Sequence, residues 1–263
     1  MIPRAYITEW SSVVPWQTDE QIEQDLIICR ALCEIYQDEF LSEKLAFRGG
    51  TALHKLYLSP QPRYSEDIDL VQIVGEPIKP VIRRLRERLS FLGDASINQK
   101  KDNNTLSFRV AAESDPSIVL RLKIEINCRE HFSMMGYFHK PFQVASSWFN
   151  GECEITTYRL EELTGSKLRA MYQRKKGRDL FDLYKVLINR KPFDEQEAIA
   201  CYQRYMELSG GKSPTKRQYL LNLDKKMTDS EFFGDLEALV RPDESFDWQE
   251  AYEVVRERLI ERI

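Results

Sequence analysis

Two aspartates, Asp67 and Asp69, flank a single isoleucine in the stretch "RYSEDIDLVQI" that runs from Arg63 to Ile73. Alternate side chains of an extended strand point to the same face, so the two carboxylates are presented together while Glu66 is turned away. Like charges at that separation repel, and two arrangements relieve them economically: arginine partners, or a divalent cation bound through oxygen ligands. Arg48 and Arg63 are available for the first. For the second, Glu125 offers a third carboxylate from a neighbouring alternating segment, in which Ile118, Leu120, Leu122, Ile124 and Ile126 face a core and Arg121, Lys123, Glu125 and Asn127 face away. Upstream, Gly49-Gly50-Thr51 separates a short apolar strand from a short helix. Such a turn aims backbone N–H groups and the positive end of a helix at an anion, a ready seat for phosphate. Taken together, these residues describe a triphosphate held by backbone amides. A pair of Mg2+ or Mn2+ ions, gripped by Asp67, Asp69 and Glu125, would activate an attacking hydroxyl and neutralise the leaving pyrophosphate. That chemistry is nucleotidyl transfer.

Periodicity shows the elements that must position these groups. Ile22, Leu26, Cys29, Cys33, Tyr36 and Phe40 line one face of a helix over 19–40, opened by Thr18. Leu45 to Phe47 reads as a strand, Thr51 to Leu58 as a helix, and Ser59 to Arg63, with Pro60 and Pro62, as a loop. A strand over 67–73, an amphipathic helix over 77–92 and strands over 106–110 and 118–126 follow. Strand signals then fade, and helices are expected at 161–174, 178–189, 194–208, 214–226, 229–240 and 247–262. The predicted organisation is an α/β lobe over 1–155 and an all-helical lobe over 156–263.

The 263 residues are 42% hydrophobic and 30% charged, without a run of eighteen apolar residues or a basic-then-apolar leader. A soluble, unexported, cytoplasmic protein with no membrane partner is expected. Its five cysteines show no zinc-type pairing and are expected to be reduced. A net charge of −4 argues against a general grip on nucleic acid. Two local basic clusters remain: Lys79 to Arg88, opposed only by Glu87, and Lys167 to Arg178, which contains no acid. His54 is expected to be a half-buried helix residue. His131 and His139 flank the apolar "FSMMGYF", expected as a packed loop or strand pair; no Ser-His-Asp set is visible.

"FRGGTALHKLY", then "RYSEDIDL", then "KLRAMYQRKKGRDLFDLY" resemble the AbiEii/AbiGii nucleotidyltransferase-like toxins, a branch of the DNA polymerase β-type nucleotidyltransferases. The match spans Phe47 to Tyr184. The resemblance implies an α+β fold, with a nucleotidyltransferase-like lobe built on a mixed β-sheet flanked by helices and an all-helical C-terminal lobe. It implies that Arg48, Gly49, Gly50, Thr51 and Ser65 bind nucleotide and that Asp67 and Asp69 bind metal. It further implies that Lys167 contacts triphosphate and that Asp179 or Asp182 orients the site; these two share one helix face, so the choice stays open. Glu125 departs from the parent superfamily, where the third carboxylate is commonly Asp, and could instead pair with Lys123 or Arg121.

The resemblance also implies a bacterial toxin–antitoxin or abortive-infection role: an NTP substrate, an RNA acceptor such as the tRNA 3′ end whose modification blocks translation, and an antitoxin from a separate gene. Arg169, Arg174, Lys175, Lys176 and Arg178 are the candidates for RNA contact. Competing readings are a metal-dependent nuclease or phosphohydrolase with water as nucleophile, nucleotidylation of a protein or small molecule, and an inactive module that binds nucleic acid or protein.

Overall fold

The alternation around Glu125 does form a strand, and it lies at the centre of a sheet. A computed structural model describes residues 2–189, 191–210 and 213–263. The chain separates into two units, Met1–Leu56 with Tyr64–Tyr158, and Tyr57–Arg63 with Arg159–Ile263. The first contains α1 (Arg4–Trp10), α2 (Asp19–Tyr36), α3 (Glu39–Lys44), β1 (Leu45–Arg48), α4 (Gly49–Leu56), β2 (Ile68–Gln72) and α5 (Lys79–Arg88). Its later strands are β3 (Ser96–Gln99), β4 (Asn103–Ala111), β5 (Val119–Asn127), β6 (Phe138–Ala145) and β7 (Asn150–Thr157).

The seven strands form one mixed sheet in the order β3-β4-β5-β2-β1-β7-β6. β1 runs antiparallel to β2, β2 parallel to β5, and β5 antiparallel to β4. The register creates two transverse rows, because paired residues on adjacent strands share a face. Ile97, Leu106, Ile124 and Ile68 lie side by side in an apolar row. Next to it, Asn98, Thr105, Glu125, Asp69 and Arg48 form a polar row on the opposite face. The sheet is therefore amphipathic, and α2, which touches β5, β6 and β7, is buried along most of its length. The helix begins where Thr18 accepts the Gln21 N–H, with Asp19 and Glu20 in its first turn.

Three strands go beyond what periodicity predicted. β3 is exposed at every residue, and β6 and β7 are half-exposed with mixed polar faces, so none carries the apolar alternation that marks a core strand. The predicted 19–40 helix is two, because Asp38 accepts the Leu41 N–H and starts α3 afresh.

The second unit is helical: α6 (Leu160–Gln173), α7 (Gly177–Ile188), α8 (Glu195–Leu208), α9 (Lys216–Lys226), α10 (Ser230–Glu237) and α11 (Trp248–Arg258). Side chains of Asp194, Thr215, Asp229 and Asp247 cap the starts of α8 to α11. Leu168, Met171, Leu180, Leu183, Tyr202, Tyr219 and Phe232 are buried in its core. The segment Tyr57–Arg63 is tied to this unit: Lys191 donates to the Tyr57 carbonyl at 2.7 Å and the Arg241 N–H to that of Pro62 at 3.2 Å. Among the described residues no helix is long and apolar enough to cross a membrane.

α6 and α8 meet at Gly165, where an added Cβ would lie 2.7 Å from the Ala198 carbonyl oxygen and 2.8 Å from the Tyr202 nitrogen. Backbone cannot swing aside as a flexible side chain can. Gly165→Ala is expected to cost roughly 1–3 kcal/mol through overpacking, read as a lower midpoint in urea at unchanged slope.

Candidate active site

β1 ends at Arg48, directly across from Asp69, and the chain then turns into α4. Gly49 makes this turn at φ +81°, a left-handed conformation that favours glycine, and a Cβ built there would stand 2.1 Å from Asp69 Oδ2. Glycine is required twice over, by conformation and by space. The diglycine turn and the carboxylate are therefore in direct apposition.

Thr51 and Ser65 join the two motifs in a different way from that expected of ligand-binding groups. The Thr51 hydroxyl donates to the Asp67 carbonyl and, having a single proton, accepts from the Ser65 hydroxyl at 2.7 Å. Thr51 is buried. Its side chain latches the loop ahead of β2 onto α4. A second tie lies at the far end of α4, where buried Lys55 pairs with buried Asp25 of α2 at 2.8 Å. Asp25 also accepts from the Trp10 indole at 3.0 Å. These bonds hold the turn against the sheet.

The polar row carries strong charge. Asp69 neighbours Glu125 in the parallel register, and Thr105 lies beyond Glu125. Burial pushes the Asp67 carboxyl up to about 6, with Asp69, Glu66 and Glu125 adding like charge and Lys123 opposing them. Lys123 thus acts on Asp67, a role sequence reasoning gave it only as an alternative partner for Glu125. Arg48 does not neutralise the aspartates alone: its guanidinium donates to Glu130 at 2.7 Å. No sequence pattern announced Glu130, which follows the end of β5 and is fixed by its own N–H on Asn127 Oδ1 at 2.9 Å. Among the described residues no three His, Cys, Asp or Glu side chains are arranged as a group that could hold a metal ion. Glu125 stands in the row as a charged neighbour without completing such a group.

Arg63, the other possible counter-charge for the aspartates, belongs to the second unit and clamps Asp182 with two bonds of 2.6 and 2.7 Å. Lys167 Nζ lies 3.0 Å from both Asp179 and Asp182. Arg174 grips Asp179 with two bonds of 2.8 Å. Burial alone would raise Asp179, but Lys167 and Arg174 outweigh it and hold the carboxyl below its usual range. Asp179 and Asp182 together hold Lys167. Triphosphate could reach that ammonium only by competing with two buried carboxylates.

The basic stretch around these residues is not an open stripe. Arg169 is buried, donating to Ser209 at 3.0 Å and lying over the Tyr205 ring. Lys175 pairs with Asp229 and Glu231, and Lys176 and Arg178 pair with Asp235. The acids that the stretch lacks in sequence come from α10 and its cap. As RNA contacts, Arg169 would need to be unburied and the others drawn from existing partners.

Asp67 gives a stability signature. Its folded value lies above that of an unfolded aspartate, so ionisation penalises the fold fully above about pH 6, and the penalty disappears as pH falls below about 4. Asp67→Asn is expected to raise Tm by a few degrees at neutral pH, with the difference shrinking toward pH 4. Saturating Mg2+ is expected to raise the Tm of the parent and leave that of the variant nearly unchanged.

A model of the family described as "Nucleotidyl transferase AbiEii toxin, Type IV TA system" matches residues 30–254. A search of curated protein sequences produced no match. Among solved structures, the fold is shared with MenT4, the nucleotidyltransferase toxin Rv2826c of Mycobacterium tuberculosis, at a TM-score of 0.69 and 17% identity over 100% of this chain and 91% of that one. It is also shared with JHP933 of Helicobacter pylori, at a TM-score of 0.61 and 18% identity over 93% of each chain. With the family model covering most of its length, the chain belongs to the AbiEii nucleotidyltransferase toxins of type IV toxin–antitoxin systems.

Proposed function

We propose that this nucleotidyltransferase moves a nucleoside monophosphate from an NTP to the 3′ hydroxyl of an RNA, with tRNA as the acceptor whose blocking stops translation. The observation that carries the reading is the apposition of Gly49 and Asp69, which makes a phosphate-seating turn and a cation-seeking carboxylate one place. A nuclease needs no seat for a triphosphate, so the turn favours transfer over hydrolysis.

The donor set fits Mg2+ or Mn2+. All candidate ligands are hard oxygens, and Asp67 is buried among the like charges of Asp69, Glu66 and Glu125, which Lys123 offsets only in part. Mg2+ commonly binds through one or two carboxylates and fills its shell with water and substrate phosphate, which suits Asp67 and Asp69 without a complete protein cage. When bound, the metal supplies charge neutralisation at the phosphates and acidifies the attacking hydroxyl. The chain's own contributions are the amides of Gly49 and Gly50 toward phosphate, Lys123 tempering Asp67, and the Thr51–Ser65 latch that fixes the aspartate loop. The work is done in the cytoplasm, and an antitoxin encoded separately opposes it.

One observation favours a second acceptor class. Lys175, Lys176 and Arg178 are already engaged with acids, which weakens their case as an RNA grip and leaves a protein or small-molecule hydroxyl as the alternative.

Incubating the protein with total RNA and each α-labelled NTP in Mg2+ reads reaction, nucleotide and acceptor together. Label in tRNA-sized RNA is the expected result. Asp67→Ala with Asp69→Ala is expected to reduce incorporation by about 1,000-fold or more and to abolish growth arrest on expression. Label in protein would move the acceptor to the second class, and shortened RNA without label would overturn transfer.

A further inference from the structure

The apolar row of the sheet does not end under cover. Leu106, Ile124 and Ile68 are fully buried, whereas Ile97, the next member of the row on β3, is 39% exposed. β3 is the terminal strand and pairs with β4 alone. Its free edge can be assigned from the hairpin that joins it to β4. The Lys100 N–H donates to the Asn103 carbonyl at 2.9 Å, and antiparallel pairs alternate between bonded and non-bonded. Asn98 and Ser96 therefore direct their backbone groups toward β4, while Ile97 and Gln99 direct theirs out of the sheet.

The same two residues line a groove of about 410 Å³ with Lys79, Ile82, Arg83 and Arg86 of α5. Its floor is apolar, through Ile82 and Ile97. Its rim is basic, because Lys79, Arg83 and Arg86 recur at helical spacing on one face of α5. Their existing commitments are weak. Arg83 meets Glu87, and Arg86 meets Asp94, at 3.8 Å with all four side chains at least half in water, an arrangement worth little. A second hollow of about 380 Å³ continues past Arg83 and Arg86.

From these features we propose that the β3 edge and the basic face of α5 receive an acidic, extended segment of a partner protein, which adds an eighth strand to the sheet. Backbone groups of Ile97 and Gln99 hydrogen-bond the incoming strand. Its apolar side chains cover Ile97 and Ile82, and its alternating carboxylates meet Lys79, Arg83 and Arg86. The features favour a peptide over nucleic acid: an open strand edge matches a peptide backbone, and none of the groove residues is aromatic, as a platform for stacked bases requires. The groove belongs to the face opposite Asp69 and Glu125, so occupation leaves the acidic row uncovered and the inference does not depend on the chemistry assigned to that row.

The test uses the full chain and a fluorescent synthetic peptide alternating Glu and Val, with an alternating Lys and Val peptide and an oligouridylate as comparison probes. The acidic peptide is expected to bind with strong salt dependence and to slow amide exchange at Ile97 and Gln99. Arg83→Glu with Arg86→Glu is expected to weaken binding roughly tenfold or more. Ile97→Pro removes an outward N–H without breaking the β4 ladder, and the same loss is expected from it while Tm and nucleotidyl transfer stay at parental levels. Equal binding of both peptides, preference for the oligouridylate, or no added protection at Ile97 and Gln99 would each overturn the proposal. So would concentration-dependent dimerisation abolished by Ile97→Pro, which would assign the edge to a second copy of this chain.

Discussion

A backbone that must approach a carboxylate more closely than any side chain allows is the constraint on which the sheet unit of this protein depends. Gly49 leaves β1 opposite Asp69, and the missing Cβ is what lets amide and carboxylate occupy adjoining space. Every neighbouring bond serves that approach. The β1–β2 register places Asp69, the Thr51 hydroxyl holds the preceding loop, and the buried Lys55–Asp25 pair fixes the far end of α4. A buried pair of this kind contributes little over an apolar substitute, but removing one partner costs about 3–5 kcal/mol. Its value here is geometric: α4 is held in one orientation.

The two units treat buried acids in opposite ways. In the helical unit, Asp179 and Asp182 are paired with Lys167, Arg63 and Arg174, and the helices α6 and α7 are tied together. In the sheet unit, burial raises the Asp67 carboxyl and its acidic neighbours add to the rise, with Lys123 as its main relief. Arg48, which could have quenched the row, is drawn to Glu130. Beside the Gly49 turn the sheet unit thus keeps an under-compensated acid, and the instability it carries disappears when the carboxyl is protonated.

Much of this was legible in the sequence for identifiable reasons. Strand alternation placed Glu125 on the polar face, and the Gly-Gly-Thr turn announced its helix, because both are local signals. Long-range pairing was not legible. Nothing nearby in sequence names Ser65 and the Asp67 carbonyl as partners of the Thr51 hydroxyl. Lys175, Lys176 and Arg178 looked like an open basic stripe because Asp229, Glu231 and Asp235 lie some fifty residues on. No local signal marks Lys226, yet burial lowers it to about 8 and its ammonium caps the carbonyls of Met171 and Tyr172. β3 was invisible because an edge strand with both faces wet has no hydrophobic period to detect.

That last omission bears on how the sheet is finished. A sheet with one apolar face must end somewhere, and proteins blunt such edges with charge, shortness or cover. The β6 edge carries Lys140 and Pro141, both of which discourage a further strand. The β3 edge is short and is guarded from α5, where Lys79, Arg83 and Arg86 repel a basic strand and attract an acidic one. The same cations that keep the edge from pairing indiscriminately therefore define which strand could pair with it. Protection and recognition become one electrostatic device, set on the face of the sheet opposite Asp69 and Glu125.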